Sequence, residues 1–229
     1  MKQLLGITIA LVGMAASAEF SQAQIITWSD VTTAPTDSSV LTNGSYVDAA
    51  TFNSGGATVN GVDFNAISGS SDGSDISITN AGSVNYNAYS TASGSTNISD
   101  AISNIGYVVG APGTVTLSGL TANDMYQVQV FNYDLANTDA SVATSLSGSP
   151  AADFTNANAG GFAIGTFTAD SAGDAVSFNY SLDPGATYSI INAVSVREVP
   201  VVAPEPSTVW LLGLGLGCLM LYVRRQRAA

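Results

Sequence analysis

Period-two alternation of apolar and polar residues recurs along most of this chain, and a helical period of 3.6 does not. Such alternation puts successive side chains on opposite faces of an extended strand. Tyr126, Val128 and Val130 share one face against Gln127 and Gln129. Val176, Phe178 and Tyr180 share another, and Ile190, Asn192, Val194 and Val196 a third. Ala163, Gly165 and Phe167 oppose Phe162, Ile164 and Thr166. Further strands are expected over 25–28, 46–52, 58–64, 76–79, 107–109, 114–117 and 141–146. Asn60-Gly61, between Val59 and Val62, suits a type I′ hairpin, whose two central residues need positive φ. Asn43-Gly44 is a second turn signal. One short helix is expected over 98–105, with Ser99 as its cap. About ten strands joined by Gly, Asn and Asp turns predict an all-β fold, a single antiparallel β-sandwich of jelly-roll or fibronectin-like form.

The ends differ from this middle. Lys2 precedes an apolar run over 4–16, and small residues follow. This pattern predicts a signal peptide over 1–23. Cleavage after Ala18 and after Ala23 both fit, and Ala23 is preferred because strand-like sequence starts just beyond it. At the other end, Pro204-Glu205-Pro206-Ser207 is followed by an apolar run over 209–223 and then by Arg224, Arg225 and Arg227. As a helix that run is roughly 22 Å long at ~1.5 Å per residue, short for a hydrocarbon core of ~30 Å. A transmembrane helix over 208–223 is expected if the arginines snorkel. The arginine tip, 224–229, stays cytoplasmic and the body lies outside. The expected organisation is thus a signal peptide over 1–23, a β-sandwich over 24–198, a linker over 199–207, the helix, and the tip.

The motif, the apolar run and the basic cluster, in that order, closely resemble the PEP-CTERM sorting signal. That signal occurs on exported proteins of Gram-negative bacteria that make extracellular polysaccharide. The resemblance implies recognition by an exosortase, a membrane transpeptidase that processes its substrates near the motif. It also implies residence in the cell envelope or extracellular matrix, with transient or permanent anchoring in the inner membrane by the C-terminal helix. It says almost nothing about the body. A second, local resemblance concerns 117–130. Leu117-Ser118-Gly119-Leu120 followed by Tyr126-Gln127-Val128-Gln129-Val130 looks like the tyrosine corner of fibronectin type III and related sandwiches, in which a Tyr at a strand start bonds backbone a few residues upstream.

Composition narrows the chemistry. From Gln24 to Val196 there are fourteen Asp and no Lys, Arg, His or Glu, and Cys218 is the only cysteine of the chain. Nucleic-acid binding through charge is excluded. So are Ser-His-Asp and Cys-His catalysis within the body, and a zinc site is nearly so. The expectation is a protein that is not an enzyme and needs no cofactor. Ca²⁺ is the one ion the composition suits, because Asp is a hard oxygen ligand. Asp72 with Asp75, and Asp134 with Asp139, are the candidate ligand sets, and solvated acidic turns are the alternative reading. A carbohydrate-binding role, with polysaccharide as partner, would need exposed aromatic rings. Trp28, Tyr86, Tyr89, Tyr107 and Tyr133 are the candidates.

Overall fold

The computed structural model describes residues 24–52, 55–67, 75–79, 82–85, 96–134, 142–155, 160–170 and 173–200. In chain order the strands are β1 (Thr27–Trp28), β2 (Thr32–Thr33), β3 (Ser45–Thr51), β4 (Ala57–Val59), β5 (Val62–Ala66), β6 (Ile76–Thr79) and β7 (Gly82–Asn85). A single short α-helix among the described residues, α1 (Thr96–Ala101), comes next, and a 3-10 turn spans Asp37–Ser39 earlier in the chain. Then follow β8 (Asn104–Val108), β9 (Gly113–Leu117), β10 (Met125–Asn132), β11 (Thr144–Leu146), β12 (Ala152–Phe154), β13 (Gly161–Thr168), β14 (Val176–Leu182), β15 (Ser189–Ile191) and β16 (Ala193–Val199). The fold is all-β, as the alternation predicts.

Three sheets form. The largest has the order β1-β13-β10-β16-β3-β5-β4, with β2 also on β13. A second has the order β12-β11-β14-β9-β6, and a third is β15-β8-β7. The first two face each other across the main core. Trp28, Tyr126, Val128, Val130, Phe167, Val194 and Val196 from one meet Ile76, Ile78, Val115, Leu117, Leu146, Phe178 and Tyr180 from the other. The Trp28 and Phe178 rings meet edge to face across the gap, centroids 5.1 Å apart. Aromatic pairs of this geometry add to the area they bury. The pairing is antiparallel almost throughout. Among the described strands β3 and β5 are parallel, over Ala50↔Asn65 and Thr51↔Ala66, and the isolated bridge Val142↔Tyr188 is parallel too.

The largest sheet carries a second core on its other face. Phe131, Phe162 and Ala193 point outward there and are covered by Val59, Val62 and Phe64 of the β4–β5 hairpin and by Ile98, Ala101 and Ile102 of α1. Segment 37–41 completes this cover. Gln129, fully buried, donates from Nε2 to the Ser39 carbonyl at 2.8 Å and accepts at Oε1 from the Leu41 N–H at 3.1 Å. A polar residue buried at mid-strand is thus satisfied by backbone that no sheet ladder uses.

Local expectations met several outcomes. Asn60 and Gly61 take φ of 50° and 77° between paired Val59 and Val62, the two-residue hairpin expected. The tyrosine corner forms: the Thr121 N–H donates to the Tyr126 hydroxyl at 2.7 Å, and Leu120 is buried beside it. The helix differs from expectation. It spans Thr96–Ala101, and Ser99 lies inside it instead of capping it. The Ile98 N–H donates to Asp37 Oδ1 at 2.9 Å, so a carboxylate far away in sequence occupies the first turn. Residues 104–108, expected partly as helix, are strand β8.

Candidate functional site

Arg197 is the only Lys, Arg or His among the described residues. It sits on β16, is buried, and is spent on backbone. Its Nε donates to the Asn43 carbonyl at 2.8 Å, and one terminal nitrogen donates to Thr42 and Gly44 carbonyls at 3.0 and 2.9 Å. Its guanidinium lies 5.9 Å from the Tyr46 ring centroid, in cation–π range. Burial lowers its pKa, and Tyr46 partly opposes that. Burial, and then Asp48, raise the Tyr46 phenol. Gly44 has φ of 78°, and a Cβ there would run into the Glu198 carbonyl. Arg197 thus clamps the 42–44 turn onto the last residues of the final strand.

Among the described residues no group of three or more His, Cys, Asp or Glu side chains is placed to hold a metal ion. Asp72 and Asp139 lie outside the described residues. Asp75 offers its backbone carbonyl to the Ser118 N–H at 2.7 Å, and its carboxylate stands against Gly119. Asp134 is fully buried just beyond β10 and is engaged with partners of its own. Asp48, missed by sequence reasoning, is a buried structural carboxylate. Its Oδ2 accepts from the Ile76 N–H at 3.2 Å, and its Oδ1 accepts from the Ala49 N–H at 2.8 Å and from Asn65 at 3.2 Å. The bond to Ile76 ties β3 to β6 in the opposite sheet.

The aromatic candidates divide. Trp28 is buried and donates from its indole N–H to the Ser147 carbonyl at 2.9 Å. Tyr133 is buried in the second core, and burial raises its phenol pKa. Both are packing residues. Tyr86 and Tyr89 lie outside the described residues. Tyr107 meets Tyr188 edge to face, centroids 6.4 Å apart, and Tyr188 is 38% exposed. Val109, 57% exposed, is close in the chain to Tyr107. Sequence reasoning missed Tyr188. Its signal is only a Tyr before a buried Ser-Ile-Ile, and its pairing with Tyr107 depends on the register Ile190↔Tyr107. An open groove of about 250 Å³ lies beside β1, lined by Gln24, Ile25, Ile26, Ser147, Gly148, Ser149 and Ser177.

Strand β16 is central in its sheet, paired with β10 and β3 along its length. It ends at Val199, opposite Met125, and the chain leaves the sheet there. The residues that follow, 202–227, match the family model of the PEP-CTERM protein-sorting motif. The chain carries a PEP-CTERM sorting signal. Pro204, Glu205, Pro206 and Ser207 fall inside the matched stretch, as do Arg224, Arg225 and Arg227. All seven lie outside the described residues. So does the apolar run, and no helix among the described residues is long and apolar enough to cross a membrane. PEP-CTERM signals are handled by exosortase, a membrane protein, and mark export and membrane-associated sorting to the cell envelope. No curated protein and no solved structure matches the chain.

Proposed function

We propose that this PEP-CTERM protein is a non-enzymatic component of the cell surface or extracellular matrix, delivered by exosortase processing of its tail. The observation that carries the reading is the sorting motif at 202–227, placed directly after the last strand of the sandwich. Two features support the non-enzymatic part. The body lacks His, Lys and Cys. The carboxylates of Asp48 and Asp37 are committed to holding backbone N–H groups. No cofactor is needed for such a role, and Ca²⁺ would act only as a stabilising ligand. The test is the C-terminal peptide of protein recovered from the cell surface. Loss of residues 209–229 is expected, and an intact tail on the mature product overturns processing.

The alternative is a carbohydrate-binding module associated with exopolysaccharide. The Tyr107–Tyr188 pair, with Tyr188 exposed and Tyr107 partly buried, favours it, because sugar faces pack on exposed aromatic rings. A glycan array with the processed protein, with and without Ca²⁺, tests it. Binding that Tyr188→Ala abolishes supports the module. Background signal under both conditions removes it.

A further inference from the structure

Both ends of the described body emerge at one pole of the sandwich. Gln24 bonds through Nε2 to the Thr168 carbonyl at the end of β13. Thr168 pairs with Met125 at the start of β10, and Met125 pairs with Val199 at the end of β16. Gln24 and Val199 are therefore about three strand spacings apart, roughly 15 Å at ~4.8 Å per spacing. The same pole gathers the tyrosine corner, where the Asn123 N–H donates to the Ala169 carbonyl, and the 42–44 turn held by Arg197. Tyr107, Tyr188 and Val109 belong to the opposite pole. There, β9 starts at Gly113, opposite Tyr180 near the end of β14.

From Val199 to Pro204 the chain reaches at most roughly 18 Å, fully extended at ~3.6 Å per residue. A folded domain of about 100 residues has a radius of gyration of ~13 Å, hence a diameter above roughly 30 Å. An enzyme that closes on residues 204–207 cannot keep clear of the pole from which they hang. We propose that the pole formed by segments 42–45, 118–124 and 173–175 is the surface that docks on the exosortase during sorting. The opposite pole, with Tyr107 and Tyr188, then points away from the membrane. This rests on the exosortase reading above and adds the face of the body that the enzyme touches.

The test uses the full chain in cells that carry its exosortase. p-Benzoylphenylalanine replaces Ala175 or Thr121 at the docking pole, and Val109 or Pro184 at the far pole, all four being exposed. Irradiation should give a chain–exosortase adduct from the first two positions and at least ten-fold less from the others. A flexible insert of about 15 residues after Pro200 should cut that adduct at least five-fold while the tail is still removed. Deletion of residues 200–203 should slow tail removal ten-fold or more. Equal adducts from both poles, adducts with lipid alone, or normal processing after the deletion overturns the proposal and leaves sorting intact. A retained tail with no adduct from any position overturns both, which separates the two failures.

Discussion

The eight-stranded sheet hides both faces along its centre, whereas the five-stranded sheet hides one. In β14 the buried residues Val176, Phe178 and Tyr180 alternate with exposed Ser177 and Asn179. The outer face of that sheet is a lattice of small hydroxyl and amide groups. Thr116 and Ser177 bond at 2.9 Å, and Thr114 bonds Asn179 at 2.9 Å. In β16 and β10, by contrast, Ala193–Arg197 and Val128–Asn132 are buried without a break. The lesson is that one-sided burial follows from a strand's own sequence, while two-sided burial depends on what the rest of the chain lays over it. Here α1, the β4–β5 hairpin and segment 37–41 provide that cover.

Truncation at matched positions breaks or sharpens the comparison most directly. Phe131→Ala, on the outer face of the large sheet, should cost about 3–5 kcal/mol, as a large buried aromatic does. Thr116→Ala, on the outer face of the small sheet, should stay within about 0.5 kcal/mol. Urea unfolding of both variants checks this, and similar losses would erase the distinction between the two outer faces. Next in size is Arg197→Met, which keeps the apolar stem and removes three charge-assisted bonds to the 42–44 carbonyls. A loss of about 2–3 kcal/mol is expected. A loss below ~0.5 kcal/mol would mean that the turn needs no clamp.

Tyr180 offers a smaller, pH-dependent contrast inside the shared core. Its hydroxyl is buried with no hydrogen-bond partner among the described residues, and burial pushes its pKa far above the usual ~10. The neutral form is thus favoured in the folded state. Stability linked to it is fully present below pH ~10 and falls as pH rises beyond that, by up to ~1.4 kcal/mol per pH unit. Tyr180→Phe should flatten this alkaline slope and gain up to about 1 kcal/mol at neutral pH, since it removes an unsatisfied polar group. Urea midpoints between pH 8 and 11 would show it, and an unchanged slope would exclude Tyr180 as the source. The smallest effect expected is from salt. Fourteen Asp between Gln24 and Val196 repel one another. The melting point should therefore rise by a few degrees in ~0.5 M NaCl, where the screening length falls below ~8 Å. At constant ionic strength, Ca²⁺ acting beyond Mg²⁺ would point to a specific site, and equal action to a solvated acidic surface.

Strands long enough to alternate were the legible ones, whether one face or both are buried. Alternation located one-sided β9 and β14 and also β10 and β13, whose far faces are covered in part. Asn60-Gly61 located a hairpin, and the Leu120–Tyr126 spacing located the corner. Short strands such as β2 and β12 were not legible, because two or three residues carry no period; β15 and β16 read as one run from Ile190 to Val196. Long-range polar contacts were invisible for a different reason. Asn192 is fully buried and donates from Nδ2 to the Ile102, Asn104 and Tyr133 carbonyls at 2.9, 3.0 and 3.0 Å, while its Oδ1 accepts from the Tyr133 N–H at 2.6 Å. Nothing local marks it off from an ordinary turn Asn. Of the candidate sites, the sorting motif was readable because it is contiguous. The Tyr107–Tyr188 pair was half readable, since its second member lies 81 residues further on.

The solitary guanidinium has a consequence for the protein's life outside the cell. Between Lys2 and Arg197 the chain holds no residue after which a trypsin-like protease cuts. Arg197 itself is buried mid-sheet with its side chain bonded to three carbonyls, so it cannot enter a specificity pocket while the body is folded. The same stretch offers no lysine amine to acylating or glycating reagents. A folded body of this composition should therefore resist enzymes that cut after basic residues, with no disulfide to protect it.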